Sequence, residues 1–211
     1  MGEKEFKRVL KKTWYFIWED DSIWSWIVNI ILAFVLIRFI VYPGLGFILG
    51  TSHPVVAVVS DSMEHNMEFN EWWEKNERWY LENGIDKEEF EKFPLKNGFN
   101  IGDIMVLVGK EPEQIEIGDT IVFISHRQRP RSDPIIHRVV NKVENNTQVI
   151  LKTKGDNNAQ PINGCNSDGC TDETDIREEQ LIGKAVLRIP LLGYIKIWFV
   201  EILKFVGLYS Q

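Results

Sequence analysis

The chain has 211 residues, of which 31 are acidic and 24 are lysine or arginine, and its formal net charge is −7. The hydrophobic share of 44% and the charged share of 26% exclude a fully disordered chain and a membrane protein with many spans. This length suits one domain, with or without a small appendage. Because binding to a nucleic-acid backbone needs a basic surface, the acidic balance argues against nucleic acid as a partner.

The N-terminal quarter of the chain has the pattern of a membrane anchor. Residues 1–22 are rich in lysine and end in an aromatic cluster, which is typical of a cytoplasmic flank beside a membrane interface. Segment 23–50 is apolar except for Arg38 and is long enough to cross a bilayer as a helix. A cleaved signal peptide and a soluble core helix are the alternatives, but the apolar run exceeds the roughly 7–15 residues of a signal-peptide core. We therefore predict a single transmembrane helix in the cell membrane, with the rest of the chain outside the cytoplasm.

Residues 51–193 have the pattern of a β domain. Runs rich in β-branched residues alternate with Gly-Asp and Asn-Asn turns, and they predict strands at 53–60, 104–108, 120–125, 135–143, 148–154 and 181–189. Short strands with regular turns indicate an antiparallel sheet or a partly open barrel. The expected fold class is therefore mainly β.

A segment rich in charge and tryptophan, residues 64–97, interrupts these strands. Trp72, Trp73 and Tyr80 share one helical face, and Asn83-Gly84 is a good helix stop, so we predict a small helical insertion. Large aromatic side chains are costly to leave in water. We expect part of this face to rest at the lipid interface, and a cap packed wholly on the sheet is the alternative.

Two further segments lie near the C-terminus. Residues 161–180 are polar and acidic and contain Cys165 and Cys170, for which we predict a disulfide because the loop is expected outside the cytoplasm. Residues 194–211 are apolar but carry three charges. Because charges are expensive in hydrocarbon, we favour an amphipathic helix at the membrane surface. A second membrane-spanning helix is the alternative.

Three polar segments could carry chemistry. Ser60-Asp-Ser62-Met63 follows the first strand, His137 lies within a strand between apolar neighbours, and Asp156 lies in a Gly-Asp-Asn-Asn turn. Each has an ordinary interpretation: a polar strand end, a structural histidine and a turn. A serine becomes a candidate nucleophile only when a general base and a group that orients this base lie nearby. The rigid backbone of a strand can hold such a base in a fixed orientation.

In this order and combination, the segments resemble those of type I signal peptidases of the archaeal and endoplasmic-reticulum branch. The resemblance covers roughly residues 25–193, apart from the two insertions. It is carried by the N-terminal anchor and by five motifs: Val55-Val-Ala-Val-Val-Ser-Asp-Ser-Met63, Gly102-Asp-Ile-Met-Val-Leu107, Gly118-Asp-Thr-Ile-Val-Phe123, Ile136-His-Arg-Val139 and Thr153-Lys-Gly-Asp-Asn-Asn158.

This resemblance implies roles for individual residues. Ser62 would be the nucleophile, His137 the general base and the Ser60 hydroxyl part of the oxyanion hole. Asp156 matches one acid of the family. The second acid falls in the expanded loop 161–180, where Asp172 fits best and two other aspartates, Asp168 and Asp175, stay open. Which acid orients the histidine is therefore left open, and no metal or organic cofactor is implied.

The expected function is that of a membrane-anchored serine endopeptidase that cleaves N-terminal signal peptides from exported preproteins. The substrate would bind as an added β-strand, and two shallow apolar pockets would select small side chains at alternate positions. The expected partners are preprotein signal peptides and membrane lipid, with the secretion translocon as a further candidate. The alternative is a non-enzymatic anchored β domain that binds a partner through its tryptophan-rich insertion.

Overall fold

A computed structural model describes residues 2–125, 134–145, 148–166, 169–195 and 198; for residues 145, 165, 166, 169 and 170 it describes the backbone alone. The chain divides into two compact units, Met1–Ile48 and Leu49–Gln211.

The first unit is helical. Helix α1 (Glu3–Trp18) was not predicted from the sequence. Helix α2 (Ile23–Leu36), a π-helical stretch (Ile37–Val41) and helix α3 (Tyr42–Leu49) then follow without a break. Together they form one 27-residue helix, Ile23–Leu49, which is long and apolar enough to cross a membrane. Its bounds agree closely with the segment predicted as the anchor.

The second unit is built on a six-stranded sheet whose neighbouring strands are all antiparallel. The strands are β1 (Val55–Ala57), β2 (Ile104–Val108), β3 (Thr120–Phe123), β4 (Ile135–Asn145), β5 (Gln148–Lys154) and β8 (Leu181–Ile189). Their order in the sheet is β1-β2-β8-β3-β4-β5, so β1 and β5 are edge strands and the sheet is not closed into a barrel. The predicted antiparallel β fold is confirmed. Strand β1 is shorter than predicted because Pro54 has no amide hydrogen for pairing and the chain turns at Asp61.

Residues 137–140 of strand β4 are buried on both faces of the sheet. Alternate residues of a strand point to opposite sides, which gives β4 two sets of contacts. Val139 packs in a core cluster with Ile121 and Leu151, whereas Val140 packs against the helical insertion. His137 and Arg138, just before them, are also buried. The strand therefore holds two polar side chains in fixed positions inside the domain.

The insertion forms helices α4 (Phe69–Glu82) and α5 (Lys87–Phe90), as predicted. Trp72 and Trp73 are only 1% and 2% exposed and pack with Tyr80 in one cluster that reaches the sheet. Trp72 and Trp73 therefore do not belong to the part of this face that was expected to rest at the lipid interface. Two short helices have no core of their own, so their aromatic face is buried most effectively against the sheet.

The segment predicted as an acidic loop contains a hairpin, formed by β6 (Asn163–Asn166) and β7 (Gly169–Asp172). In its register Cys165 lies opposite Cys170. The two cysteine side chains lie outside the described part of the chain, so the disulfide stays a prediction. The predicted C-terminal helix, 194–211, also lies outside the described residues except for 194, 195 and 198.

Candidate active site

The structure brings together Ser62 and His137, which the sequence singled out. The Ser62 Oγ lies 2.8 Å from the His137 Nε2. Ser62 is half-buried in a turn that follows β1, and His137 is buried as the third residue of β4. The two residues are 75 positions apart in the chain, so the tertiary fold brings them into contact.

The backbone around this pair leaves little freedom. The neighbouring Met63 is buried in the core, and the Asn157 amide donates to the Ser62 carbonyl at 2.8 Å. A Cβ on Gly155 would lie 2.9 Å from the His137 Nε2 and 2.8 Å from the Ser62 carbonyl oxygen. Such distances are too short for any side chain, so glycine is required here for close approach.

A buried carboxylate, Glu173, lies on the other side of the imidazole. Its Oε1 is hydrogen-bonded to the His137 Nδ1 and accepts from the Thr153 hydroxyl at 3.0 Å. Its Oε2 accepts from the Ile162 amide at 2.6 Å. A carboxylate can only accept, so Nδ1 carries the proton and Nε2 is free to accept from the Ser62 hydroxyl. Ser62, His137 and Glu173 are thus arranged as nucleophile, base and orienting acid would be.

Glu173 was missed in the sequence, where Asp172 was the preferred acid of this loop. The Asp172 Oδ1 instead accepts from the Thr174 amide and hydroxyl, at 3.0 and 2.7 Å. Asp175 pairs with Arg177 at the surface, and Asp168 lies outside the described residues. Adjacent residues of an extended chain face opposite sides, so an error of one position selects the wrong side chain. The available signal in the sequence is the adjacent pair of acids, Asp172-Glu173.

Asp156, the other acid expected near the base, contacts different groups. Its carboxylate accepts from the Arg138 Nε and Nη2 at 2.9 and 2.7 Å, from the Tyr80 hydroxyl at 3.2 Å and from the His65 Nε2 at 3.0 Å. Burial alone would raise the pKa of Asp156, but the Arg138 charge and the His65 hydrogen bond outweigh it and hold that pKa well below its usual range. Of the acids that the sequence left open as partners of His137, Asp156 is thus ionised and binds Arg138 instead.

Lys154 is buried close to this carboxylate. Its Nζ donates to the Tyr80 hydroxyl at 3.3 Å and to the Gly155 carbonyl at 3.1 Å, and it lies 4.6 Å from the centre of the Tyr80 ring. Burial lowers the pKa of Lys154 to about 8, and the charges of Asp156 and Glu173 oppose part of that shift. Its described hydrogen bonds do not include the Ser62 hydroxyl.

Ser60, Asp61 and the other histidines of the chain are placed as follows. The Ser60 Oγ lies 3.1 Å from the Ser62 Oγ, and Asp61 between them is exposed. The His53 Nδ1 contacts the neighbouring serine, and His126 lies outside the described residues. No sequence pattern connects His65 with the site.

No known family model matches the chain. The chain is, however, similar to proteins named signal peptidase complex catalytic subunit SEC11. It is 28% identical to that of Scheffersomyces stipitis over 174 residues, which cover 81% of this chain and 80% of the relative. Similarity to the protein from Zygosaccharomyces rouxii is 29% over 176 residues, with the same two shares. Similarity to the protein from Candida tropicalis reaches 32% over 107 residues, which cover 51% of this chain and 61% of the relative.

These relatives are fungal, so the archaeal part of the expected resemblance is not supported. The expected resemblance to signal peptidases of the endoplasmic-reticulum type is confirmed, at 28–29% identity over four fifths of the chain. The chain is thus similar over four fifths of its length to catalytic subunits of signal peptidase complexes, and a serine and a histidine are in contact at its candidate active site.

Proposed function

We propose that the chain is a membrane-anchored serine endopeptidase that removes N-terminal signal peptides from exported preproteins. The observation that carries this proposal is the hydrogen-bonded series Ser62–His137–Glu173 in a homologue of signal peptidase catalytic subunits. In such a series the histidine is held in the tautomer that can accept the serine proton.

The geometry supports an acyl-transfer mechanism. The Ser62 Oγ attacks the scissile carbonyl while the His137 Nε2 takes its proton, and Glu173 stabilises the imidazolium that forms. His137 then gives the proton to the leaving amine. A water molecule, deprotonated by the same nitrogen, hydrolyses the acyl-enzyme and releases the signal peptide.

The negative charge of the tetrahedral intermediate needs donors close to the nucleophile. The Ser60 hydroxyl is close enough to the Ser62 Oγ to reach this oxygen, and the Ser62 amide is the second candidate donor. Loss of one such donor costs about 3–4 kcal/mol of transition-state stabilisation.

The position of the serine suits an extended substrate. Strand β1 is an edge of the sheet, and its chain runs directly into Ser60 and Ser62. An extended peptide paired along this edge would pass the nucleophile, and its alternate side chains would face the same way. The expected preference for small side chains at alternate positions is part of this proposal.

The helix Ile23–Leu49 would be the membrane anchor, with the N-terminus cytoplasmic and the β domain on the opposite side. Lysine-rich residues 1–22 support this orientation. The name of the relatives places them in a complex, so we propose further subunits as partners, beside membrane lipid and the translocon. The alternative, a binding domain with an exposed tryptophan surface, has no support, because Trp72 and Trp73 are buried.

The test is cleavage of a preprotein by the full chain in detergent, followed by determination of the new N-terminus. We expect one cut after the apolar segment of the signal peptide, and none with Ser62→Ala or His137→Ala, although both variants stay folded. His126→Ala should stay active. Processing that survives in Ser62→Ala would contradict the proposal.

A further inference from the structure

The turn that follows β5 is bonded directly to the segment that carries Ser62. The Asn157 amide donates to the Ser62 carbonyl at 2.8 Å, and the Asn157 side chain donates to the Asp61 carbonyl at 3.1 Å. The Asp156 amide lies 3.3 Å from the Met63 sulfur. Any displacement of this turn would therefore displace the serine.

The carboxylate of this turn is held by the helical insertion as well as by β4. Two insertion side chains, His65 and Tyr80, hydrogen-bond the Asp156 carboxylate at 3.0 and 3.2 Å. Both are almost completely buried. The His65 ring stacks on Trp72 with 3.8 Å between ring centres and 1° between planes, which fixes the direction of its Nε2.

These polar groups do more than fill space. The His65 Nδ1 is buried and has no hydrogen-bond partner among the described residues, a cost that an apolar side chain would avoid. Burial and the Asp156 charge raise the pKa of Tyr80 well above its usual value, so its hydroxyl keeps the proton that it donates. A cap that only covered the sheet would need neither group.

We propose that His65 and Tyr80 are positioning residues for the reaction, which hold Ser62 in line with His137 by fixing Asp156 and its turn. The helical insertion then supplies two side chains that position the reacting pair. This inference rests on the proposed function and assigns to the insertion a role in that same site.

Variants that remove one donor and keep the ring test this directly. His65→Phe retains an aromatic ring to stack on Trp72, and Tyr80→Phe retains the ring within the aromatic cluster. Each should lower kcat for preprotein cleavage by about ten- to a hundredfold, the cost of a small misplacement of reacting groups. KM should change by less than about twofold, since substrate contacts are untouched. His65→Gln, which restores an N–H donor, should recover most of kcat.

The matched control is Ile85→Val, which loosens the same buried cluster without removing a polar group. It should lower the melting temperature and leave kcat unchanged. The proposal is overturned if both phenylalanine variants keep kcat within about twofold of the wild type, or if Ile85→Val lowers kcat as much as they do.

A second readout does not depend on the substrate. The Nδ1 proton of His137, bonded to a buried carboxylate, should give a low-field NMR resonance. We expect His65→Phe and Tyr80→Phe to shift this resonance and Ile85→Val to leave it unchanged. An unshifted resonance in both phenylalanine variants would contradict a positioning role. If the wild type cleaves no preprotein, the proposed function fails, and this resonance still reports whether the insertion positions the site.

Discussion

The imidazole of His137 is hydrogen-bonded through Nδ1 to the carboxylate of Glu173, the residue directly after the acid that the sequence favoured. This contact determines which ring nitrogen faces the serine. The Thr153 hydroxyl and the Ile162 amide hold the carboxylate from two further directions. The orientation of the base therefore depends on the loop that joins β5 to β8, and not only on the strand that carries the histidine.

Glu173→Gln should lower kcat by about 10³- to 10⁴-fold, because an amide can donate to Nδ1 and so favour the wrong tautomer. The measurement is the rate of preprotein cleavage at saturating substrate. Asp172→Asn is the matched control at the adjacent position and should keep most of the activity. An inactive Asp172→Asn variant together with an active Glu173→Gln variant would contradict the assignment of Glu173 as the acid that orients His137.

Asp156→Asn should destabilise the β domain strongly. Arg138 is fully buried, and removing its carboxylate partner leaves an uncompensated charge, which costs about 3–5 kcal/mol of unfolding free energy. Thermal unfolding in detergent measures this as a lowered melting temperature. The exposed pair formed by Asp175 and Arg177 supplies the control, since Asp175→Asn should leave the melting temperature almost unchanged. Equal effects of the two variants would contradict a structural role for the buried pair.

Lys154 should make stability rise with pH above neutrality. Its pKa falls from the ordinary 10.5 to about 8 in the folded protein, mainly through burial. Between these values the unfolded chain holds a proton that the folded protein lacks, so stability rises as pH rises through that window. Below pH 8 both states are protonated, and this contribution stays constant.

The measurement is the difference in melting temperature between the wild type and Lys154→Met as a function of pH. We expect the melting temperature of the wild type to rise relative to that of the variant from pH 8 towards pH 10.5. A difference that stays constant over that window would show that burial of this lysine does not lower its pKa.

Trp72→Ala should lower cleavage of a membrane-embedded preprotein and of a short soluble peptide by the same factor. Its side chain is buried against the sheet, so the loss is one of packing, about 3–5 kcal/mol of unfolding free energy. Thermal unfolding and the two cleavage rates are compared in the same detergent. If the variant lost cleavage of the membrane-embedded preprotein only, Trp72 would have a role at the lipid interface, contrary to its burial.

A disulfide between Cys165 and Cys170 is expected from their opposite positions in the hairpin register. Protein isolated from cells and alkylated without reduction should show no modified thiol by mass spectrometry. Two alkylated cysteines would contradict the prediction. Removal of both cysteines should have a small effect on activity, because the hairpin they join is short.

Local patterns predicted those parts of the site that depend on short-range sequence. Strand signals around His137 and the turn around Asp156 were sufficient to place each of them at the sheet, and the family motifs connected them with Ser62. The contacts that determine the role of Asp156 come from Tyr80 and His65, which are 76 and 91 positions away. Hydrophobic periodicity describes only residues of the same helix or strand, so it does not identify such distant pairs. The β6–β7 hairpin was missed because its polar strands lack apolar alternation.

The central claim is that Ser62 is a nucleophile activated by His137, and active-site labelling tests it most directly. The full chain is treated with a peptidyl phosphonate ester that bears alanine at the reactive position, and the modified residue is mapped by mass spectrometry. We predict one phosphonylated residue, Ser62, with loss of the alcohol leaving group, and little labelling in His137→Ala. Labelling at another residue, or equal labelling of Ser62 in His137→Ala, would contradict the account.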